Sequence, residues 1–98
     1  MKPCKRIEIV IEKPLSRRVA EQLDDLGAPG FTLIPNASGR GDRGKRRADD
    51  PTGADTNCVF IIACEDPALA EKIVETVRPL LSRSGGMCLV SDATWINH

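Results

Sequence analysis

The sequence predicts an α+β fold of order βαββαβ: a ferredoxin-like antiparallel sheet with two helices on one face. Three observations predict it. Two like halves each read strand, helix, strand, over residues 6–35 and 57–91. Between them lie about twenty residues, 36–56, with no apolar periodicity and no aromatic. The third strand, 57–64, is apolar on both faces, so helices on one face leave the other to be covered. One domain over residues 1–98 follows from this length, and a second copy is the simplest cover for the open face.

Each element has its own signal. Ile7, Ile9 and Ile11 alternate with Arg6, Glu8 and Glu12, the period of a half-buried strand. Pro14 ends it, and Ser16 is a candidate cap for a helix over 16–26. Leu15, Val19, Leu23 and Leu26 fall at helical spacing, and Gly27 is a natural left-handed stop. Gly30 to Pro35 reads as the second strand, with Phe31, Leu33 and Ile34 apolar. In the third, Cys58, Phe60 and Ile62 point one way, and Val59, Ile61 and Ala63 the other. Asp66 then Pro67 starts the second helix as cap and first residue. Its apolar face is Ala70, Ile73, Val74, Val77 and Leu81, and Pro79 is expected to kink or shorten its last turn. Ser82 to Gly86 reads as a loop and Met87 to Ser91 as the fourth strand, with Trp95 and His98 in a tail.

Composition narrows the function classes. Fourteen basic residues balance fourteen acidic ones, so net charge points to neither nucleic acid nor membrane. No apolar run has the length of a membrane span. Met1 to Arg6 reads as a lead into the first strand rather than a signal peptide. Cys4, Cys58, Cys64 and Cys88 form no C-x-x-C pair and read as reduced thiols of a cytoplasmic protein, with a disulfide or redox role for Cys4 as the alternative. The single histidine, His98, ends the chain, so no histidine-based catalytic group is expected. No cysteine or histidine cluster has metal spacing. Asp49, Asp50 and Asp55 could hold a cation but read as a solvated acidic stretch. The reading is therefore non-enzymatic, with no metal.

The charge is concentrated. Ser38-Gly39-Arg40-Gly41-Asp42-Arg43-Gly44-Lys45 interleaves glycines with cations. Glycines let backbone N–H groups approach a ligand, and arginines match phosphate or carboxylate geometry. The segment suits a small anion or a nucleotide phosphate. It is no P-loop, because no helix and no Gly-Lys-Ser/Thr follow. A charged loop without fixed structure fits the same composition. Ser84-Gly85-Gly86-Met87 is a second candidate for backbone contact with an anion, or simply a turn. The two loops can meet in this fold, within a subunit or across a subunit boundary.

Here the chain resembles the PII-like signalling proteins over nearly its whole length. KRIEIVIEK, LGAPG and GFTLIP resemble the family's first half. ASGRGDRG stands where the family has its T-loop, NCVFIIACEDPALAEKIVETVRPLL resembles its third strand and second helix, and SGGMCLVSDA stands at its B-loop and fourth strand. The short chain is most similar to the carboxysome-associated PII branch, tied to bicarbonate uptake. The resemblance implies a cytoplasmic homotrimer that binds adenine nucleotides between subunits, with bicarbonate as a co-ligand. Residues 36–56 would then order on binding and dock on a bicarbonate transporter or carboxysome-related protein.

By position it places Thr32, Ser38, Gly39, Arg40, Gly41, Ser84, Gly85, Gly86 and Met87 at the nucleotide, and Arg40 and Arg43 at phosphate or bicarbonate. Met87 stands where other members have a lysine, the chain stops short of their C-terminal arginines, and it has no tyrosine for uridylylation. Less positive charge at the phosphate end favours ADP or AMP over ATP. The alternative is a ferredoxin-like RNA-binding module, which needs exposed aromatics to stack bases. Phe31 and Phe60 sit in apolar runs and are expected in the core, so no nucleic acid partner is expected.

Overall fold

Alternation along the first strand decides the layers. Ile7, Ile9 and Ile11 are fully buried, while Glu8 and Val10 between them are only partly covered. The computed structural model describes residues 1–41, 44–46 and 56–98. In it β1 (Lys2–Glu12) leads through a 3₁₀ turn at Lys13–Leu15 into α1 (Ser16–Asp25). Then come β2 (Thr32–Ala37), the short β3 (Gly39–Gly41) and β4 (Gly44–Arg46), β5 (Asn57–Cys64), α2 (Pro67–Ser84) and β6 (Met87–Trp95). The main sheet has the order β2-β5-β1-β6 and every neighbouring pair is antiparallel. This is the expected βαββαβ arrangement.

Register explains the core. Ile9 stands opposite Phe60, and Ile7 opposite Ile62. That row, with Cys58 and Cys64, packs against Val19 and Leu23 of α1 and Ala70, Ile73, Val77 and Leu80 of α2. Asp66 caps α2 as expected, its Oδ1 accepting from Ala68 N–H at 2.9 Å.

Several local expectations need correction. Ser16 is the first helical residue rather than the cap; Leu15 holds the cap position without a side-chain bond, because the preceding 3₁₀ turn already bends the chain. Pro79 neither kinks α2 to an end nor shortens it, and the helix runs on to Ser84. Pro79 lies on the exposed side, where water can satisfy the carbonyl that loses its donor, and the burial of Leu80 holds the next turn. The buried leucine is Leu80, with Leu81 only partly covered. The fourth strand runs four residues beyond Ser91, so Trp95 belongs to the sheet and not to a tail. Residues 36–56 are not free of regular structure either: β2 reaches Ala37, and Gly39–Gly41 pairs with Gly44–Arg46. Phe31, expected in the core, is 37% exposed and leans on Phe60 at a centroid distance of 5.3 Å.

Candidate functional site

The root of the 36–56 segment is built around one residue. Lys13 donates its backbone N–H to Thr56 O at 2.7 Å, and its Nζ donates to Asn36 Oδ1 at 2.8 Å. One stem is thus held by the backbone of the turn after β1, the other by its side chain. Thr56 is completely buried, so the exit stem is anchored in the domain interior.

Beyond Asn36, Ser38 joins β2 to β3, and Gly39, Arg40 and Gly41 form β3. A Cβ added at Gly39 would meet nothing within 4 Å. Its backbone is therefore open to a ligand rather than squeezed by packing. Arg40 lies on β3, and Arg43 falls outside the described residues, as do Asp49, Asp50 and Asp55.

The second candidate loop is tighter than the sequence suggests. Ser84 is the last residue of α2, and its Oγ accepts from Gly86 N–H at 3.3 Å. Gly85 caps the helix at φ 76°, donating to Leu81 O at 2.9 Å. A Cβ at Gly86 would lie 2.5 Å from Val10 O. Both glycines are therefore demanded by the fold, whatever they also do for a ligand. Met87 opens β6 opposite Val10 and is exposed.

Within one chain the strands next to the two loops lie far apart among the described residues. Thr32 lies on β2, one edge of the sheet, and Met87 on β6, the other edge. Three strand spacings separate those edges, roughly 14 Å.

Two features escape the sequence reading. Arg18 and Arg83 line one shallow cavity of about 250 Å³ beside Ser84, with Glu12 at its rim. Neither arginine pairs with another described residue. A signal was available: Arg17 and Arg18 occupy the first turn of a helix with no acidic residue there, where the helix dipole disfavours cations. The other feature is a cleft of about 610 Å³ bordered by Gly30, Phe31, Thr32, Glu65, Asp66 and Trp95. Chain position gave no hint of it, because Trp95 comes from the far end of the sequence.

The sheet face away from the helices carries Ile34, Val59, Val10 and Met87 in one register row and Thr32, Ile61, Glu8 and Leu89 in the next. Ile34, Met87 and Leu89 are 42%, 47% and 50% exposed, an apolar surface that water covers poorly. Arg6 and Glu8 form an ion pair at 2.7 Å within it.

All four cysteines are free. Burial pushes the thiols of Cys58 and Cys88 up from their ordinary value, which lowers the reactive thiolate fraction at any given pH. Iodoacetamide at pH 8 is expected to leave Cys58 unlabelled and to label Cys88 slowly, both reacting at the rate of a free thiol once the chain is unfolded in urea. Mass mapping of labelled peptides checks this, and rapid native labelling of Cys58 would contradict it. Among the described residues no group of three His, Cys, Asp or Glu could hold a metal ion, and no helix is long and apolar enough to cross a membrane.

The family model for nitrogen regulatory protein P-II matches residues 4–98. The chain belongs to the P-II family. This makes it a PII-like regulatory protein. The fold of this P-II family member is similar to that of CPII, a nitrogen regulatory PII-like protein from Thiomonas intermedia K12, solved bound to ADP, AMP and bicarbonate. There the TM-score is 0.81 at 27% identity, over 95% of this chain and 88% of that one. CPII bound to ADP and bicarbonate gives a TM-score of 0.80 at 26% identity, over 95% and 88%. A PII-like signalling protein from Thermus thermophilus shares the fold at a TM-score of 0.80 and 22% identity, over 97% and 91%.

Proposed function

We propose that this P-II family member is a cytoplasmic, non-enzymatic sensor of adenine nucleotide, with ADP or AMP preferred to ATP and bicarbonate as co-ligand. The observation that carries this reading is the similarity over 95% of the chain to CPII, whose structure holds ADP, AMP and bicarbonate. In this reading residues 1–98 form one domain with 36–56 as its T-loop. Three copies assemble through their open sheet faces, which supplies the cover those faces need. Each nucleotide lies between subunits, with Thr32 on one side and Ser84, Gly85, Gly86 and Met87 on the other. The placement of Thr32 and Met87 on opposite sheet edges supports this division. Ser38, Gly39 and Gly41 offer backbone N–H groups, and Arg40 and Arg43 contact phosphate or bicarbonate.

Binding orders residues 36–56 for docking, ligand energy offsetting the entropy of the loop. Lys13 keeps both stems of the loop fixed while this happens. The partner is a bicarbonate transporter or a carboxysome-related protein, which links the protein to inorganic carbon uptake and places it in the carboxysome-associated branch. RNA binding is less well supported, because the middle of the open face offers Ile34, Val59, Ile61 and Leu89 instead of stacking aromatics.

Calorimetric titration with AMP, ADP and ATP, each with and without bicarbonate, tests the reading. ADP or AMP should bind more tightly than ATP, and bicarbonate should strengthen that binding. Absence of heat with every nucleotide would refute it.

A further inference from the structure

The helix layer carries its charge at two opposite ends. β1 and β5 are antiparallel, and each leads into a helix that returns along the sheet, so α1 and α2 run in opposite directions. The start of α1 therefore meets the end of α2, where Arg17, Arg18 and Arg83 are exposed. Asp24 and Asp25, at the other end of α1, share the opposite end of the layer with Glu65 and Asp66. This order runs against the dipole of α1, which favours acids in the first turn and cations in the last. The two first-turn arginines and the two last-turn aspartates thus weaken the helix that carries them. None of those four side chains has a partner among the described residues. A local rule broken at exposed positions, with no compensating contact, points to a surface shaped by function rather than by folding.

Arg18 and Arg83 line the shallow cavity between the two helix ends, with the partly covered Leu15 and the buried Leu80. Glu12 at its rim sets one carboxylate against these two guanidiniums. We infer that this notch is a docking surface for an acidic segment of a partner protein, which sets a carboxylate against each arginine. Guanidinium matches carboxylate geometry and is weakly hydrated for a cation, so it suits pairing at an interface. Two cations on separate helices fit two carboxylates of one chain better than a single small anion. A membrane surface fits poorly, because neither leucine of the notch stands out to enter a bilayer. The surface belongs to the body of the domain, apart from residues 36–56, and needs no nucleotide. It lies on the helix side, so copies that associate through the open sheet face leave it free. Ser84, which holds the N–H of Gly86, and Glu12, next to Lys13, bring a bound segment beside the roots of both loops.

Fluorescence anisotropy with a short labelled peptide of alternating glutamate and alanine tests this. The signal should rise on titration with the wild-type protein, without nucleotide, and fall back as salt is added. The same peptide with lysine for glutamate should not bind. Arg18→Gln combined with Arg83→Gln should weaken the glutamate peptide by about tenfold or more, through loss of charge-assisted hydrogen bonds at both positions. Both arginines are exposed, so the double variant should fold. Arg18→Gln alone should melt no lower than the wild type, since it takes a cation out of the first turn of α1. Arg78→Gln removes an arginine that pairs with Glu75 away from the notch, and should bind the peptide normally. No binding by the wild type, or equal binding by the double variant, would overturn the inference. A lower melting temperature for Arg18→Gln would make that arginine structural and overturn it too. Phosphatidylserine vesicles that displace the peptide from the wild type, and fail to bind the double variant, would reassign the surface to a membrane.

Discussion

Phe60→Ala is expected to lower the unfolding free energy by about 3–5 kcal/mol, the largest stability loss for one substitution in this chain. Phe60 is fully buried on β5, opposite Ile9 on one side and Leu33 on the other. It is the largest of the completely buried side chains among the described residues, so its truncation leaves a large void. The loss joins the transfer energy of the ring to a cavity that rigid sheet neighbours cannot close. Urea denaturation at one fixed protein concentration measures it, since self-association would otherwise shift the midpoint. Phe60→Leu should recover most of the stability. Because Phe31 leans on the Phe60 ring, the alanine variant should also loosen the wall of the cleft beside Thr32. A loss below about 1 kcal/mol would show that Phe60 is not the centre of the core.

Leu89→Lys is expected to abolish assembly, and nucleotide binding with it, while leaving the single chain folded. Leu89 is half exposed on the open sheet face, in the row Thr32–Ile61–Glu8–Leu89. In one isolated chain a lysine there reaches water, so the fold loses little. Between copies the same ammonium would be buried beside Glu8, whose carboxylate Arg6 already engages, and a buried charge left uncompensated costs about 3–5 kcal/mol per site, or about a hundredfold or more in association. Sedimentation should show the wild type as a trimer and the variant as a monomer. Calorimetry should then show ADP binding lost in the variant, because in the proposed assembly Thr32 and the 84–87 loop come from different copies. A variant that stays trimeric, or a monomer that binds ADP normally, would break the link between assembly and site.

The layered fold was legible because its determinants are local and periodic. Ile7, Ile9 and Ile11 announce one buried face, and Asp66 with Pro67 announces the start of α2; both hold in the structure. Element ends were less legible, since they depend on contacts outside the local window. Pro79 is a helix breaker by its own chemistry, yet its exposed position and the burial of Leu80 carry α2 through it. Trp95 looks like a tail residue until its pairing with Lys2 places it on β6.

For the candidate site the division is similar. Glycines and arginines at 39–43 mark a region suited to anions from composition alone. The glycines at 85 and 86 show the limit of that argument. Chain order cannot tell a ligand-facing glycine from one that a helix cap or a neighbouring carbonyl requires; the φ of Gly85 and the closeness of Val10 O to Gly86 do.

By itself, then, the sequence determined the order of strands and helices, the two-sided apolar third strand and the charged segment between the halves. These follow from periodicity and composition, which survive without knowledge of contacts. Only the tertiary structure decided that Lys13 fastens both stems of that segment, that Thr32 and Met87 lie on opposite edges, and that Trp95 shares a cleft with Phe31 and Glu65. Each of these joins residues far apart in the chain, and strand pairing, not local propensity, sets which of them become neighbours.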